Sequence, residues 1–377
     1  MIKIVHIITG LNSGGAENML YKLLKYSDKT SYNHEVVSLM GGGIYGGKIS
    51  NLGVKVHCLN ISKTTFLSSL IKTKKICKDA DIIDTWLYHA DIVGFIVAKI
   101  ILRKKLIWNI RHSNLNKDAN KSTTLKIIKF NSFLSRYVDC ITYNSNEALK
   151  NHLKIGYSNK NSKVIPNGFE LDKFKFNPEA RAIIRQEFGF KDSTKVIITV
   201  GRWNIQKDYY TLLKAISELK ELKIEFKLIM VGTNLDHKNH ELVNLIKTLN
   251  LEDKIILLGR RDDIPELLSA ADVYISSSLG ESFSNAIGEA MACELPCIVT
   301  DVGDSKSIVG DTGKVVAAKD YKNMCNELFN FLNNNHSLFR NNNGRQRVIA
   351  NYDIKQISKI FEKNFKEVVD ECYFESR

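Results

Sequence analysis

Residues 273–300 read VYISSSLGESFSNAIGEAMACELPCIVT and contain a complete strand–helix–strand pattern. The apolar run Val273–Ser276 leads through a turn with Gly280 into a helical pattern, and a second buried run follows at Cys297–Thr300. Two short apolar runs joined by a helix predict a right-handed unit of two parallel strands. This stretch therefore places the chain in the α/β class.

The same alternation of apolar runs and helical patterns continues along the chain and predicts two doubly wound domains. Strands are predicted at Ile2–Thr9, His34–Leu39, Val54–Leu59, Ile82–Thr85, Leu106–Ile110, Cys140–Asn144, Val164–Ile165, Val196–Val200, Phe226–Val231, Ile255–Leu258, Val273–Ser276 and Cys297–Thr300. The turn at Pro166-Asn167-Gly168 predicts an N-terminal domain of residues 1–165 and a C-terminal domain of residues 166–353. No strand follows the helical pattern Ile354–Phe374, so we expect residues 354–377 to pack back on the N-terminal domain.

The composition is that of a globular protein with an uneven charge. The chain has 377 residues, 44% apolar and 25% charged, which excludes disordered, collagen-like and fibrous classes. Residues 1–165 hold 25 Lys and Arg against 10 Asp and Glu, whereas residues 166–377 hold 29 against 31. We expect the basic front half to meet an anion: nucleic acid, a membrane surface or phosphate groups.

Cysteine usage and the apolar segments bear on location. Seven cysteines with irregular spacing favour free thiols in a reducing compartment. The N-terminal residues lack the features of a signal peptide, and the longest apolar stretch, Ile92–Leu102, is shorter than the ~20 residues that cross a bilayer. We expect a cytoplasmic protein that is soluble, or peripheral on the inner face of the cell membrane.

Ligands of open parallel sheets bind where strands end and helices begin, so motifs at those points carry most weight. After the first strand, Gly14 and Gly15 allow an anion to approach the N-terminus of the helix Ala16–Tyr26 closely. Their spacing fits neither the dinucleotide fingerprint nor a P-loop. A plain tight turn remains the alternative for these glycines.

Two histidines follow other strands of the front half. His89 comes after Ile82–Thr85, and the pair Arg111 and His112 comes after Leu106–Ile110. Histidine is a natural proton or phosphate partner near neutral pH, although a lone histidine also fits a core or capping position. A charged pair at a second strand end favours a pocket, without indicating which histidine matters.

In the back half, a pair of cations follows one strand. Val196–Val200 ends in Gly201 and Arg202, and Lys207 comes five residues further on. A planar guanidinium and a lysine point charge at one strand end can neutralise a diphosphate.

The stretch 273–300 adds two carboxylates. Glu281 precedes its helix, free backbone N–H groups open around Phe283, Ser284 and Asn285, and Glu289 lies within the helix. A carboxylate in an otherwise apolar helix needs a hydrogen-bonding partner, and a ribose diol is one. The alternative is that Glu281 caps the helix and Glu289 forms a salt bridge.

Three basic clusters mark the front half. They are Lys72, Lys74, Lys75 and Lys78; Arg103, Lys104 and Lys105; and Lys117, Lys121, Lys126, Lys129 and Arg136. The third is interleaved with apolar and aromatic residues, which is typical of a membrane-surface helix and also of a surface helix whose apolar stripe is core. Nucleic acid is the weaker choice, because no nucleic-acid-binding signature accompanies the charge.

Taken together, these pieces resemble glycosyltransferase family 4, retaining enzymes of the GT-B fold. The order and spacing that carry the resemblance are those of Gly14-Gly15-Ala16-Glu17, Trp86-Leu87-Tyr88-His89-Ala90-Asp91, Pro166-Asn167-Gly168-Phe169, Gly201-Arg202 with Lys207, Gly259-Arg260-Arg261-Asp262-Asp263-Ile264-Pro265, Ala271-Asp272-Val273-Tyr274 and Glu281-Ser282-Phe283 through Glu289-Ala290-Met291-Ala292-Cys293 to Leu295-Pro296. The resemblance implies two Rossmann-like domains facing a cleft, with the C-terminal one holding most of a nucleotide-sugar donor. One departure is Glu294, where the family usually has glycine.

The resemblance also implies a role for each matching residue. Arg202 and Lys207 would hold the diphosphate, Glu289 the ribose, and Glu281 the donor sugar. The backbone of Phe283, Ser284 and Asn285 would surround the sugar and phosphate, and Arg261 would lie beside the base. Gly14 and Gly15 would approach the donor phosphate, and His89 would lie beside the donor sugar. Arg111 and His112 would lie on the acceptor side. No cofactor and no metal ion are expected, because cations and helix dipoles replace the metal.

The implied reaction is transfer of a hexose or N-acetylhexosamine from a UDP-sugar to a polyprenyl-diphosphate-linked saccharide, as in bacterial O-antigen or capsule synthesis. The basic N-terminal domain would then hold that acceptor at an anionic membrane, and nucleic acid is not an expected partner. The alternatives are a GT-B sugar-nucleotide epimerase or hydrolase, and a non-catalytic protein that binds sugar nucleotides at a membrane surface.

Overall fold

A computed structural model describes residues 1–12, 14–62, 64–115, 120–333 and 340–375. The chain divides into two compact units. Unit 1 comprises residues 1–168 together with residues 354–377, and unit 2 comprises residues 169–353.

Unit 1 is built on a seven-stranded sheet in which every pairing is parallel. Its strands are β1 (Ile2–Ile8), β2 (Tyr32–Ser38), β3 (Lys55–Cys58), β4 (Ile82–Trp86), β5 (Lys105–Ile110), β6 (Cys140–Tyr143) and β7 (Ser162–Val164). The spatial order is β3-β2-β1-β4-β5-β6-β7. The central strands β1 and β4 are almost wholly buried, as expected for apolar runs covered on both faces.

Helices cover both faces of this sheet. They are α1 (Gly15–Tyr26), α2 (Gly43–Ser50), α3 (Phe66–Cys77), α4 (Tyr88–Phe95), α5 (Ser122–Leu134) and α6 (Asn146–Lys154). A π-helical segment, Ile96–Leu102, continues α4. The C-terminal helix Ile354–Glu375 packs beside α1, where Phe361 and Phe365 are buried in the same apolar cluster as Ile4 and Leu20.

Unit 2 is built on a six-stranded parallel sheet. Its strands are β8 (Lys195–Val200), β9 (Phe226–Val231), β10 (Ile255–Gly259), β11 (Val273–Ser276), β12 (Cys297–Thr300) and β13 (Lys314–Val316), in the spatial order β10-β9-β8-β11-β12-β13. The strand β13 was not predicted from the sequence, because three residues beginning with a lysine form no apolar run.

The helices of unit 2 lie on both faces of its sheet, over two apolar clusters. They are α7 (Pro178–Glu187), α8 (Tyr209–Glu221), α9 (His240–Thr248), α10 (Ile264–Ala270), α11 (Asn285–Ala292), α12 (Ser305–Val309), α13 (Tyr321–Asn333) and α14 (Asn342–Tyr352); the C-terminal helix is α15. Side-chain caps fix several of the starts: Asn177 accepts hydrogen bonds at α7, Asp208 at α8 and Asn239 at α9.

The end of α11 explains the departure at Glu294. The N–H of Leu295 donates to the carbonyl of Ala290 and that of Glu294 to the carbonyl of Met291, which is the hydrogen-bond pattern of a Schellman motif. Glu294 has a φ of 63°, a left-handed conformation that favours glycine. A glycine in this position of related sequences therefore has a conformational reason rather than a chemical one.

Candidate functional site

Each sheet has a point at which its strand order reverses, and ligands of such sheets bind outside the carboxyl ends of the strands there. In unit 2 this point lies between β8 and β11, which are neighbours in the sheet although five elements separate them in the chain. The loop after β8 carries Arg202 and Lys207, and the loop after β11 carries Glu281. The topology therefore brings these three sequence-predicted residues to one edge.

The loop after β8 is held in a fixed shape by its own side chains and by a close backbone contact. The side chain of Asn204 accepts a hydrogen bond from the N–H of Gln206, and Asp208 adopts a left-handed φ of 45° as the cap of α8. Gly232 has a φ of 142°, and a Cβ there would lie 1.6 Å from the carbonyl oxygen of Gly201. Glycine at 232 therefore lets the end of β9 approach the start of this loop.

The centre of the site is an ion pair across the two loops. Lys207 Nζ lies 2.5 Å from Glu281 Oε1, and Ser278 Oγ donates a 2.8 Å hydrogen bond to the same oxygen. Ser277 Oγ donates to the backbone carbonyls of Lys207 and Asp208, which joins the end of β11 to the start of α8. Ser277 and Ser278 were not predicted as site residues; their signal was a run of serines immediately after a buried strand.

Arg202 differs from Lys207 in having no internal partner. Its side chain is exposed, and within the described residues the structure gives its guanidinium no hydrogen bond or ion pair. An exposed guanidinium beside a neutralised ion pair suits an anionic ligand.

The N-terminus of α11 faces the same edge. Ser284 is the N-cap but makes no side-chain cap hydrogen bond, and Asn285 begins the helix. Phe283 is anchored in the core by stacking on Phe169 at 6.0 Å, and Gly288 leaves room for that ring because a Cβ there would lie 2.1 Å from it. The N-terminus of this helix, with the positive end of its dipole, therefore starts at a rigidly held position.

Glu289 lies one turn further along α11 and is half-buried. Burial first, and then the negative charge of Glu289, raises the pKa of the neighbouring Cys293 thiol. Like Glu281, this carboxylate has further interactions within the protein.

Arg261, at the end of β10, is already paired. Its Nε lies 2.8 Å and its Nη2 2.5 Å from the two carboxylate oxygens of Asp263, and the carboxylate of Glu187 is 3.8 Å from Nη1. The hydrogen bonds to Asp263 raise the pKa of Arg261. Its charge is therefore balanced locally, two strands away from Lys207 in the sheet.

In unit 1 the strand order reverses between β1 and β4. Gly14 and Gly15 follow β1, and Gly15 begins α1, with the side chain of Glu17 folded against Gly14. Ser13 of this turn lies outside the described residues. The two glycines and His89 are thus assembled at one edge of the sheet, as the strand ends predict.

His89 lies in the first turn of α4 and is exposed. Partial desolvation of the ring lowers its pKa, which favours the neutral imidazole. Leu87, two residues earlier, has a φ of 74° and a ψ of 152°, a conformation that costs energy for a side chain other than glycine. This strained turn connects β4 to α4 and so fixes the position of His89 at the end of the strand.

Arg111 and His112 are placed differently from each other. Arg111 is buried, donates to the carbonyl of Ile165, and lies 5.1 Å from the ring centroids of both Trp86 and Phe361. His112 is half-buried against Tyr88. The acceptor role of Arg111 stays a prediction, and in this structure its guanidinium is enclosed by the core of unit 1.

A buried polar network at the centre of unit 1 was not predicted. Asp84 accepts hydrogen bonds from Trp86 Nε1 and Asn109 Nδ2 and lies 2.8 Å from His6 Nδ1, while His6 Nε2 lies 2.9 Å from His34 Nδ1. Burial, and then the charge of His6, lowers the pKa of His34 to about 3. Single polar residues within short apolar runs do not indicate in the sequence that they form a buried hydrogen-bonded network.

Three helical elements of unit 1 expose large apolar side chains. We call the exposed surface of α3, the π-helical segment Ile96–Leu102 and α5 the apolar basic face. Its exposed large apolar members are Phe66, Leu67, Ile71, Ile100, Ile101, Phe130 and Phe133. None of the three elements contains Asp or Glu. Lysines from the first and third basic clusters lie among these residues, although Lys117 is outside the described residues.

Two further findings concern the described residues only. They contain no group of three or more His, Cys, Asp and Glu side chains placed to hold a metal ion. They also contain no helix that is long and apolar enough to cross a membrane.

Solved structures show the same architecture. The chain aligns with the Anabaena protein HepE, solved in complex with UDP, with a TM-score of 0.85 over 97% of this chain and 100% of that one, at 21% identity. HepE has also been solved in complex with UDP-glucose. The likeness confirms the predicted GT-B fold with two Rossmann-like domains.

Several curated relatives are bacterial glycosyltransferases. An Escherichia coli UDP-Gal:alpha-D-GlcNAc-diphosphoundecaprenol alpha-1,3-galactosyltransferase is 27% identical over 81% of both chains. A Campylobacter jejuni N-acetylgalactosamine-N,N'-diacetylbacillosaminyl-diphospho-undecaprenol 4-alpha-N-acetylgalactosaminyltransferase is 26% identical over 82% of this chain and 84% of that one. The match to the Bacillus anthracis N-acetyl-alpha-D-glucosaminyl L-malate synthase, 27% identical, spans only 49% of each chain.

Two family models divide the chain much as its structure does. Residues 180–352 match the model of glycosyl transferases group 1, within unit 2. Residues 13–173 match the model of Glycosyltransferase Family 4. The models together cover residues 13–173 and 180–352, and with the relatives and the fold they establish that the chain belongs to glycosyltransferase family 4.

Proposed function

We propose that this glycosyltransferase is a retaining enzyme that moves a hexose or N-acetylhexosamine from a UDP-sugar to a saccharide carried on a polyprenyl diphosphate. The observation that carries the proposal is the edge of unit 2, where the Lys207–Glu281 ion pair and the unpaired Arg202 lie at the strand-order reversal. Its products would serve O-antigen, capsule or a related bacterial glycan.

The charges of this edge fit a sugar nucleotide. A diphosphate brings negative charge, so it would draw Lys207 away from Glu281 and take Arg202 as a second cation. The released Glu281 carboxylate is then available to sugar hydroxyls, while Glu289 on α11 would hold the ribose. The complexes of HepE with UDP and UDP-glucose support the choice of a uridine nucleotide.

The reaction would proceed on the face of the sugar that the phosphate leaves. The acceptor oxygen attacks the anomeric carbon, the bond to the donor phosphate breaks, and the leaving phosphate takes the acceptor proton, so the configuration is retained. Arg202, Lys207 and the N-terminus of α11 would stabilise the developing phosphate charge, which is the role a metal ion plays elsewhere. A neutral His89 would donate a hydrogen bond beside the donor sugar.

The acceptor is proposed from charge and from relatives. The E. coli and C. jejuni relatives are named for acceptors on diphosphoundecaprenol. The excess of Lys and Arg in residues 1–165 suits a diphosphate lipid at an anionic bilayer. The apolar basic face of unit 1 provides both lysines for lipid headgroups and apolar side chains for the acyl boundary.

The decisive experiment is a panel of donors with polyprenyl-diphosphate-linked saccharides as acceptors. UDP-hexoses, UDP-N-acetylhexosamines and GDP-mannose are each supplied, and the product is identified by mass spectrometry and by the configuration of its new bond. We expect transfer from one UDP-sugar with retention. Binding of UDP without consumption of any donor would favour a non-catalytic sugar-nucleotide protein, and donor conversion without an acceptor would favour an epimerase or hydrolase.

A further inference from the structure

Tyr209 has a buried hydroxyl without a hydrogen-bond partner. The residue begins α8, directly after the capping Asp208, and its side chain is only 3% exposed. Its hydroxyl oxygen is inaccessible to solvent, and no donor or acceptor within the described residues pairs with it. Buried polar groups are nearly always paired, so a specific exception requires an explanation.

The hydroxyl lies inside the edge of unit 2 described above. A Cβ on Gly201 would be 2.7 Å from it and 3.3 Å from Lys207 Cε, so the hydroxyl and the lysine stem converge on the same space. Burial first, and then the charge of Glu281, raises the pKa of Tyr209, which places that carboxylate nearby as well. Glycine at 201 keeps this space open, because a side chain there would meet the hydroxyl.

The ring of Tyr209 is held by an aromatic contact. It stacks on Trp203 with centroids 5.6 Å apart and planes only 6° from parallel. Lys207, which pairs with Glu281, has its stem beside the same space as the hydroxyl. If a diphosphate draws Lys207 away, the same movement uncovers an oriented O–H group next to phosphate oxygens.

We propose that Tyr209 is a donor-binding residue, whose hydroxyl donates a hydrogen bond to a phosphate oxygen of the nucleotide-sugar once Lys207 exchanges Glu281 for the diphosphate. The proposal rests on the proposed function, because it needs a diphosphate ligand at this edge. It adds a neutral donor to the two cations that the sequence motifs indicate.

The test compares Tyr209→Phe with Tyr210→Phe, the same change at the adjacent, half-exposed tyrosine. UDP affinity is measured by calorimetry, and the thermal unfolding midpoint is measured without nucleotide. We expect Tyr209→Phe to unfold at the wild-type midpoint or above it, since it removes an unpaired buried hydroxyl. Its UDP affinity should nevertheless fall by about tenfold or more, the effect of losing a hydrogen bond to a charged group, while Tyr210→Phe binds like wild type.

Equal UDP affinity in Tyr209→Phe and wild type would overturn the assignment and make Tyr209 a packing residue only. A variant with a lowered unfolding midpoint would be followed by UDP titration below that midpoint, where the same comparison applies. Failure of the wild-type protein to bind UDP, UDP-glucose or GDP is a separate result, which overturns the proposed function together with this assignment.

Discussion

Lys207 Nζ and Glu281 Oε1 lie 2.5 Å apart although 74 residues separate them in the chain. The contact follows from the pairing of β8 with β11, which aligns Ile197 with Val273 and so brings the loops after the two strands together. In this structure the two side chains neutralise each other. A ligand that binds both side chains must break the pair. Replacing Lys207 and replacing Glu281 are therefore expected to have different effects on ligand binding.

Glu281→Ala and Lys207→Ala are each expected to reduce transfer by roughly 100-fold or more, the scale of losing one group that stabilises developing charge. Their effects on UDP binding should diverge. Lys207→Ala weakens UDP binding because a cation is lost, whereas Glu281→Ala leaves it unchanged or tighter because Lys207 is released. Calorimetry with UDP, alongside product formation with the sugar nucleotide, measures the two effects separately.

A matched control is Lys220→Ala, which breaks a lysine–carboxylate pair with Asp253 on an exposed part of unit 2. This variant should transfer sugar and bind UDP like wild type, since exposed pairs contribute little. Near-normal turnover in Lys207→Ala or Glu281→Ala would remove that residue from the site.

The strands of both sheets were predictable because buried parallel strands are short apolar runs. Twelve strands overlap the predicted runs with ends that differ by at most two residues, and Phe226–Val231, Val273–Ser276 and Cys297–Thr300 are reproduced without change. The apolar runs do not show which strands are neighbours in each sheet. The Lys207–Glu281 pair therefore emerged only from the structure, although each motif was visible separately.

Arg111 shows why the front half was harder to interpret. A charged residue immediately after a strand normally points to solvent or ligand, and the sequence does not show that Trp86 and Phe361 enclose this one. Phe361 comes from α15, more than two hundred residues away in sequence, and packs on the same sheet. Local motifs identify groups that could bind, whereas long-range packing decides which of them stay exposed.

Glu294→Gly is expected to stabilise unit 2 by about 1 kcal/mol, since the residue holds a left-handed φ of 63° that glycine adopts without strain. The same change at Glu218, on the exposed side of the interior of α8, should instead destabilise by about 1 kcal/mol. Urea unfolding of both variants measures the difference. A destabilised Glu294→Gly would show that the glutamate side chain contributes more than its backbone strain costs.

His34 makes the stability of unit 1 depend on pH. Its pKa is about 3 in the folded protein, lowered mainly by burial, against about 6.5 when unfolded. Above pH 6.5 this imidazole is neutral in both states and does not lower the free energy of unfolding. As the pH falls from 6.5 toward 3, only the unfolded chain binds the proton, so the free energy of unfolding decreases. Between pH 7 and pH 5 this single group lowers the free energy of unfolding by about 2 kcal/mol.

His34→Asn should flatten this pH dependence, whatever its effect on stability at pH 7. His152, buried with a pKa lowered to about 4, acts in the same direction and should leave a residual slope. Urea unfolding at several pH values, followed by the fluorescence of Trp86 and Trp108 in unit 1, measures the slope. His237→Gln, at an exposed histidine of unit 2, is the control; an unchanged slope in His34→Asn would mean that other groups set it.

The apolar basic face is expected to bind anionic vesicles through two separable contributions. Reversing Lys126 and Lys129 to Glu in one variant should weaken binding to phosphatidylglycerol-containing vesicles at low salt by about 2–4 kcal/mol, since each lysine near such a surface contributes about 1 kcal/mol and the reversal adds repulsion. Both side chains are exposed on α5 beside Phe130, so the change leaves the core of unit 1 intact.

A second variant, Leu67→Ser with Ile71→Ser, tests the apolar contribution on α3, where the two side chains are 74% and 67% exposed. Apolar insertion is not screened by salt, whereas lysine attraction is. At high salt we therefore expect the serine variant to bind the vesicles less tightly than wild type. The lysine reversal should then bind them almost as tightly as wild type, because salt screens the lost attraction. Co-sedimentation at two salt concentrations separates these outcomes, with Lys220→Glu of unit 2 as the charge control. If neither variant differs from wild type, lipid does not cover this face, and the acceptor lipid would have to reach the enzyme by another surface.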